Sequence, residues 1–144
     1  MFAGMAWLSR RLMRGRYARA TIGNVVVDET GAATIPVLAT FAGVRGFPWW
    51  YAVATNNATP LLVIEADGVR FRVIRARRRS FGDIACIDVR QATGTVNLEI
   101  AFHAALLTFS VNLGTVPLAG HVLRLFPPSV PLSVRAAAVR DMRT

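Results

Sequence analysis

Leu61-Leu62-Val63-Ile64-Glu65-Ala66-Asp67-Gly68-Val69-Arg70-Phe71-Arg72-Val73-Ile74 decides how this chain folds. Two apolar, β-branched runs flank Asp67-Gly68, and Asp-Gly suits the positive φ values of a tight hairpin. In the second run Val69, Phe71 and Val73 alternate with Arg70 and Arg72, so a strand turns its apolar residues inward and its arginines to solvent. Downstream, Phe81 to Arg90, Thr95 to Phe102 and Leu106 to Asn112 read as further strands, with turns at Thr93-Gly94 and Ala104-Ala105. Thr115 suits the cap of a helix with Pro117 in its first turn. Leu118, Val122 and Leu125 recur at helical spacing as its buried stripe, and Pro127-Pro128 stops it.

Upstream the signals weaken. Thr21 to Val27 is valine-rich, Asp28-Glu29-Thr30-Gly31 is a turn, and Thr34 to Phe41 resumes a strand-like run, so a hairpin is expected. Pro36 cannot donate to a ladder, which places the second strand on an edge or gives it a bulge. Ala42 to Pro48 reads as a linker, Tyr51 to Thr55 as a strand, and Arg75-Ala76-Arg77-Arg78-Arg79 as a basic loop. From Gly4 to Arg14, Met5, Leu8 and Leu12 lie on one side of a short amphipathic helix, with Arg10, Arg11 and Arg14 on the other. That arm docks either on its own domain or a second subunit, or on a membrane surface. The expected division is an N-terminal arm of helix plus hairpin (1–45), a main domain (46–128) and a tail (129–144) with room for one short helix after Ser133.

At 144 residues, 53% hydrophobic and 17% charged, the chain is long and apolar enough to bury one core without disulfides. Its net charge is +9, and all 17 basic residues are arginine, a skew expected of a GC-rich bacterial genome. Such a charge attracts phosphates, anionic lipid heads or acidic proteins, and salt weakens the attraction. One cysteine, Cys86, allows no internal disulfide, and the arginines of residues 1–20 follow the apolar part, the reverse of an export signal. A cytoplasmic protein is expected. Ala32 to Ala54 is the nearest thing to a membrane span, but Pro36, Pro48, the nearby glycines Gly31, Gly43 and Gly46, and Arg45 argue against one.

The hairpin around Asp67-Gly68, the segment Ser80-Phe81-Gly82-Asp83-Ile84 followed by Ile87 and Val89, and the helix from Thr115 to Phe126 together resemble a bacterial pleckstrin-homology-like (PH-like) domain. The second segment is similar to the "aromatic, x, Asp-Ile" opening of the fourth strand in many such domains. The resemblance covers about half the chain, and residues 1–45 lie outside it. It implies a mainly β fold: a bent antiparallel sheet or partly open barrel capped by a C-terminal helix, here preceded by a helical arm. It also implies binding of lipid head groups, peptides or other domains, without catalysis. Arg70 and Arg72, with Arg77, Arg78 and Arg79 nearby, are similar in character to the phosphate-binding surface of lipid-binding members. The eukaryotic signature uses a lysine in an early loop, and this chain has none.

The arginines of 70–79 are either a solvated strand face or an anion-binding patch suited to bidentate phosphate contact. Nucleic acid fits less well, since only Phe71 interleaves and it points inward. Trp49 and Trp50 are core seeds or docking aromatics. His103 and His121 are isolated, so neither a metal nor a cofactor is expected. Ser80, Asp83 and His103 lack any nucleophile-elbow context, Asp83 reads as a turn residue, and Cys86 as a small buried side chain. The expected function is a non-catalytic module for an acidic partner, an anionic membrane surface or an acidic protein, peripheral at the inner face of a bacterial membrane. The alternative is a structural protein that self-assembles through its N-terminal arm and hairpin.

Overall fold

The computed structural model describes residues 21–47 and 52–142. Ten strands run in chain order: β1 Val26–Val27, β2 Ala33–Thr34, β3 Ala39–Val44, β4 Ala52–Asn56, β5 Leu61–Ile64, β6 Gly68–Arg72, β7 Ala76–Ser80, β8 Ile84–Ala92, β9 Thr95–Phe102 and β10 Leu107–Asn112. They form two five-stranded antiparallel sheets, one in the order β1-β2-β5-β6-β7 and the other β4-β3-β10-β9-β8. Two helices follow, α1 Val116–Leu125 and α2 Val134–Asp141. The fold is therefore mainly β with C-terminal helices, as the sequence led us to expect, and the sheets do not close on one another.

Strands β5, β6, β8, β9 and β10 and helix α1 sit where the pattern put them. Val69, Phe71, Val89, Leu98, Ile100, Phe109 and Val111 alternate inward and are buried together between the sheets. Thr115 caps α1 through its hydroxyl, which accepts from the Leu118 amide, and Leu118, Val122 and Leu123 are buried beneath the helix.

Residues 21–41 depart from the expected arm. β1 and β2 do form a hairpin across the Asp28 turn, where the Asp28 carboxylate accepts from the Thr30 amide and hydroxyl and from the Ala32 amide. Past Pro36, however, the chain leaves the first sheet and enters the second. β2 pairs with β5 and β3 with β10, while the Ile35 amide bonds Leu62 and the Leu38 amide bonds Asn112. Pro36 neither bulges nor edges a single strand; it lies where one run is shared between two sheets. The expected boundary at 45/46 falls inside the β3–β4 pair, and Ala33, Ile35 and Leu38 belong to the common core.

The tail is equally integral. The Ile87 amide donates to the Pro131 carbonyl and the Ser133 amide to the Ile87 carbonyl, so residues 131–133 cover the outer edge of β8. Ser133 caps α2, and its hydroxyl also donates to Asp88, which is paired with Arg135. Gly120 lets the two helices approach: a Cβ there would stand 2.9 Å from the Val139 carbonyl oxygen.

The sequence points to Gly68 as a turn residue with positive φ, and it is not one. Glu65 and Gly68 close the turn, with a 2.8 Å bond from the Glu65 amide to the Gly68 carbonyl, and Gly68 is already in β6 with ordinary negative φ. What excludes a side chain is β7, since a Cβ would lie 2.1 Å from the Arg79 carbonyl oxygen.

Candidate functional site

Arg75 to Arg79, expected as a loop, is the turn into β7 and most of that edge strand. Pairing with β6 then sorts the arginines by face. Arg70 stands opposite Arg78, whereas Phe71 stands opposite Arg77 and Val69 opposite Arg79. Cross-strand partners share a face, so the five arginines expected as one patch are divided. Arg70, Arg72 and Arg78 lie on the outer face, and Arg77 and Arg79 lie on the inner face, beside the core.

The outer group is partly neutralised. Arg70 and Arg78 are like charges directly opposed, and Glu65 bridges them at 3.7 Å and 3.1 Å. Arg72 reaches the Thr59 carbonyl at 3.5 Å. The inner group is different. The Arg79 guanidinium lies 5.5 Å from the centre of the Phe102 ring, a cation–π distance. Among the described residues, neither the Arg75 nor the Arg77 guanidinium has a hydrogen-bond or ion-pair partner.

These inner arginines line one side of a cleft of about 370 Å³ between the β6–β7 turn and the β9–β10 turn. Its floor is aromatic. Phe71 meets Phe109 at 4.3 Å and Phe102 at 5.7 Å between ring centres. The turns that form its rim carry exposed apolar side chains: Ile74 is 81% exposed, Leu106 69% and Leu107 50%. The β3–β4 turn joins this end through a 2.7 Å bond from the Arg45 amide to the Leu106 carbonyl, and it bears exposed Phe47. Thr40 and Asn56 hold the base of the β6–β7 turn to the second sheet, donating to the Arg72 carbonyl at 2.5 Å and the Val73 carbonyl at 2.8 Å.

Sequence reasoning missed Arg75, Ile74, Leu106, Leu107 and the rings of Phe102 and Phe109 as one constellation. The signal available was modest: Ile74 and Leu106-Leu107 are large apolar residues at turn positions, where polar ones are the rule. Met5, Leu8, Arg10, Arg11, Leu12, Arg14, Trp49 and Trp50 lie outside the described residues.

Other candidates do not assemble. The His103 amide donates to the Asp83 carbonyl at 2.9 Å, which brings those two residues together through their backbones. Among the described residues no side-chain hydrogen bond joins Ser80, Asp83 and His103, and the Asp83 carboxylate takes none of the turn bonds expected of it. Cys86, expected to be buried, is only half-buried, at a register shift in β8 between Ile84 and Cys86. Desolvation, with Asp88 and Glu99 nearby, pushes its thiol pKa up, which makes it a poor nucleophile. Among the described residues no three His, Cys, Asp or Glu side chains come together as metal ligands, and no helix is long and apolar enough to cross a membrane. No protein-family model matches the chain, and no curated protein is significantly similar to it.

Proposed function

We propose that this chain is a non-catalytic binding module that docks on an anionic membrane surface by the open end of its two sheets, from the cytoplasmic side of a bacterial membrane. The observation that carries this reading is the exposure of Ile74, Leu106, Leu107 and Phe47 around one end, beside Arg45, Arg75 and Arg77. Apolar tips enter the head-group region while arginines meet the phosphates at its level, and each basic residue near the surface contributes about 1 kcal/mol. The order of β5 to β10 followed by α1 also supports a PH-like reading, whose implied role is binding; the second sheet's two strands β3 and β4 and helix α2 are additions to the stretch that carries it.

Sedimentation with vesicles, neutral or phosphatidylserine-containing, tests the proposal. The native chain is expected to pellet with anionic vesicles and to release as salt rises. Ile74→Asp with Leu106→Asp should abolish binding, and Arg75→Ala with Arg77→Ala should weaken it about fivefold per arginine. Arg70→Ala with Arg78→Ala, on the outer face, should change it less. Equal loss from both arginine pairs would return the function to the undivided patch.

The rival reading, self-assembly, draws on β1, whose Val26 and Val27 are 64% and 62% exposed on the free edge of the first sheet. A mass that rises with concentration, together with no vesicle binding, would favour it. Deleting residues 1–45 cannot test it, because that removes β1, β2 and β3.

A further inference from the structure

We infer that the cleft at the open end takes up a single acyl chain ending in an anion, drawn from the membrane on which the module docks; this rests on the docking reading and adds a ligand to it. A volume of about 370 Å³ is at the small end of ligand pockets (~300–1,000 Å³) and suits one slender chain. The floor of Phe71, Phe102 and Phe109 offers no hydrogen bonds, and the nearby Arg72 and Val73 carbonyls are already held by Thr40 and Asn56.

A guest with polar groups along its length would bury them unpaired. A peptide is therefore disfavoured, since each residue brings an amide and a carbonyl into the slot. Charged recognition is confined to the side where Arg75, Arg77 and Arg79 stand, Thr108 being the one other polar side chain in the lining. Arg79 is braced against the Phe102 ring, and Arg77 is in register with Phe71, so positive charge begins where the apolar floor ends. The complementary ligand is apolar throughout and anionic at one end.

The test is calorimetric titration of the full chain with dodecanoate below its micelle concentration, beside dodecyltrimethylammonium and inorganic phosphate. Dodecanoate is expected to bind, the ammonium at least tenfold more weakly, and phosphate alone not to compete. Octanoate should bind more weakly than dodecanoate, by about fourfold for each methylene the cleft buries. Ala42 lies opposite Phe109 in register and lines the cleft, so Ala42→Phe fills it. That variant should weaken dodecanoate at least tenfold and leave anionic-vesicle sedimentation intact. Ala42→Leu, a smaller filling at the same position, should act similarly if the first variant does not fold.

Equal affinity for dodecanoate and the ammonium would overturn the inference, and so would unchanged dodecanoate binding in a folded cleft-filling variant. Vesicle binding with no dodecanoate binding would also overturn it while leaving the docking proposal standing. Dodecanoate binding without vesicle binding would uphold the cleft and remove the membrane as its source.

Discussion

Where β5 turns into β6, the C-terminal end of helix α1 arrives: Phe126, just past the helix, meets Phe81 edge to face at 5.8 Å, and Leu125 and Pro127 share with Ile64 and Ala66 the lining of a smaller pocket of about 260 Å³. Where β6 turns into β7, no helix of the described residues arrives, and three phenylalanine rings floor an open cleft instead. The same two strands thus run from an end built for closeness to an end built with space. At the first, even a methyl group at Gly68 has no room. At the second, Ile74, Leu106 and Leu107 remain in water at a hydrophobic cost that only a partner would recover.

That contrast is open to direct attack. The largest effect is expected from Gly68→Ala, whose Cβ meets the Arg79 carbonyl and must push β7 off β6; urea unfolding should show a loss of about 4 kcal/mol. A loss below about 1 kcal/mol would mean that β7 is not held tightly against the closed end. Asp88→Asn should cost less, about 1 kcal/mol, by weakening the tie from β8 to Ser133 and Arg135. Desolvation pushes the Asp88 carboxyl pKa up, but hydrogen bonds from Arg135 and Ser133 outweigh it and hold the value below the usual carboxylate range. Its contribution is then fully present above about pH 4 and lost as pH falls through the lowered folded value. The gap between native and variant melting temperatures should accordingly narrow in acid and stay constant from pH 5 to 7. The smallest effect on stability belongs to the open end. Ile74→Asp should change unfolding by under about 0.5 kcal/mol, even while it removes vesicle binding. A large loss there would place Ile74 in the core's support and not at its mouth.

The same division explains what was legible in the sequence. Strands from Leu61 to Asn112 and the helix after Thr115 carry alternating or helical apolar spacing, and each pattern marks one buried face. β7 carries no such mark, because Ala76-Arg77-Arg78-Arg79-Ser80 offers no contrast between neighbours. Its pleat, and the separation of Arg77 and Arg79 from Arg78, became visible only through pairing with β6. Asp67-Gly68 located the hairpin correctly for a different reason, since close approach and positive φ both select glycine. Pro36 signalled an interruption but not its destination, which depends on partners far along the chain. The cleft was the least legible feature, since it is formed by residues from β3, β6, β7, β9 and β10, at an end that no helix of the described residues reaches.

The pairing of β3 with β10 has a consequence for how the chain acquires its shape. β3 and β4 leave the ribosome early, but β3 has β4 alone to pair with until β10 is made, and β10 is the last strand in the chain. The second sheet is therefore completed by a contact between distant segments, whose loop-closure entropy slows folding. During that interval the edge of β3 is bare, and Ala39 to Val44 is open to pairing with a neighbouring nascent chain.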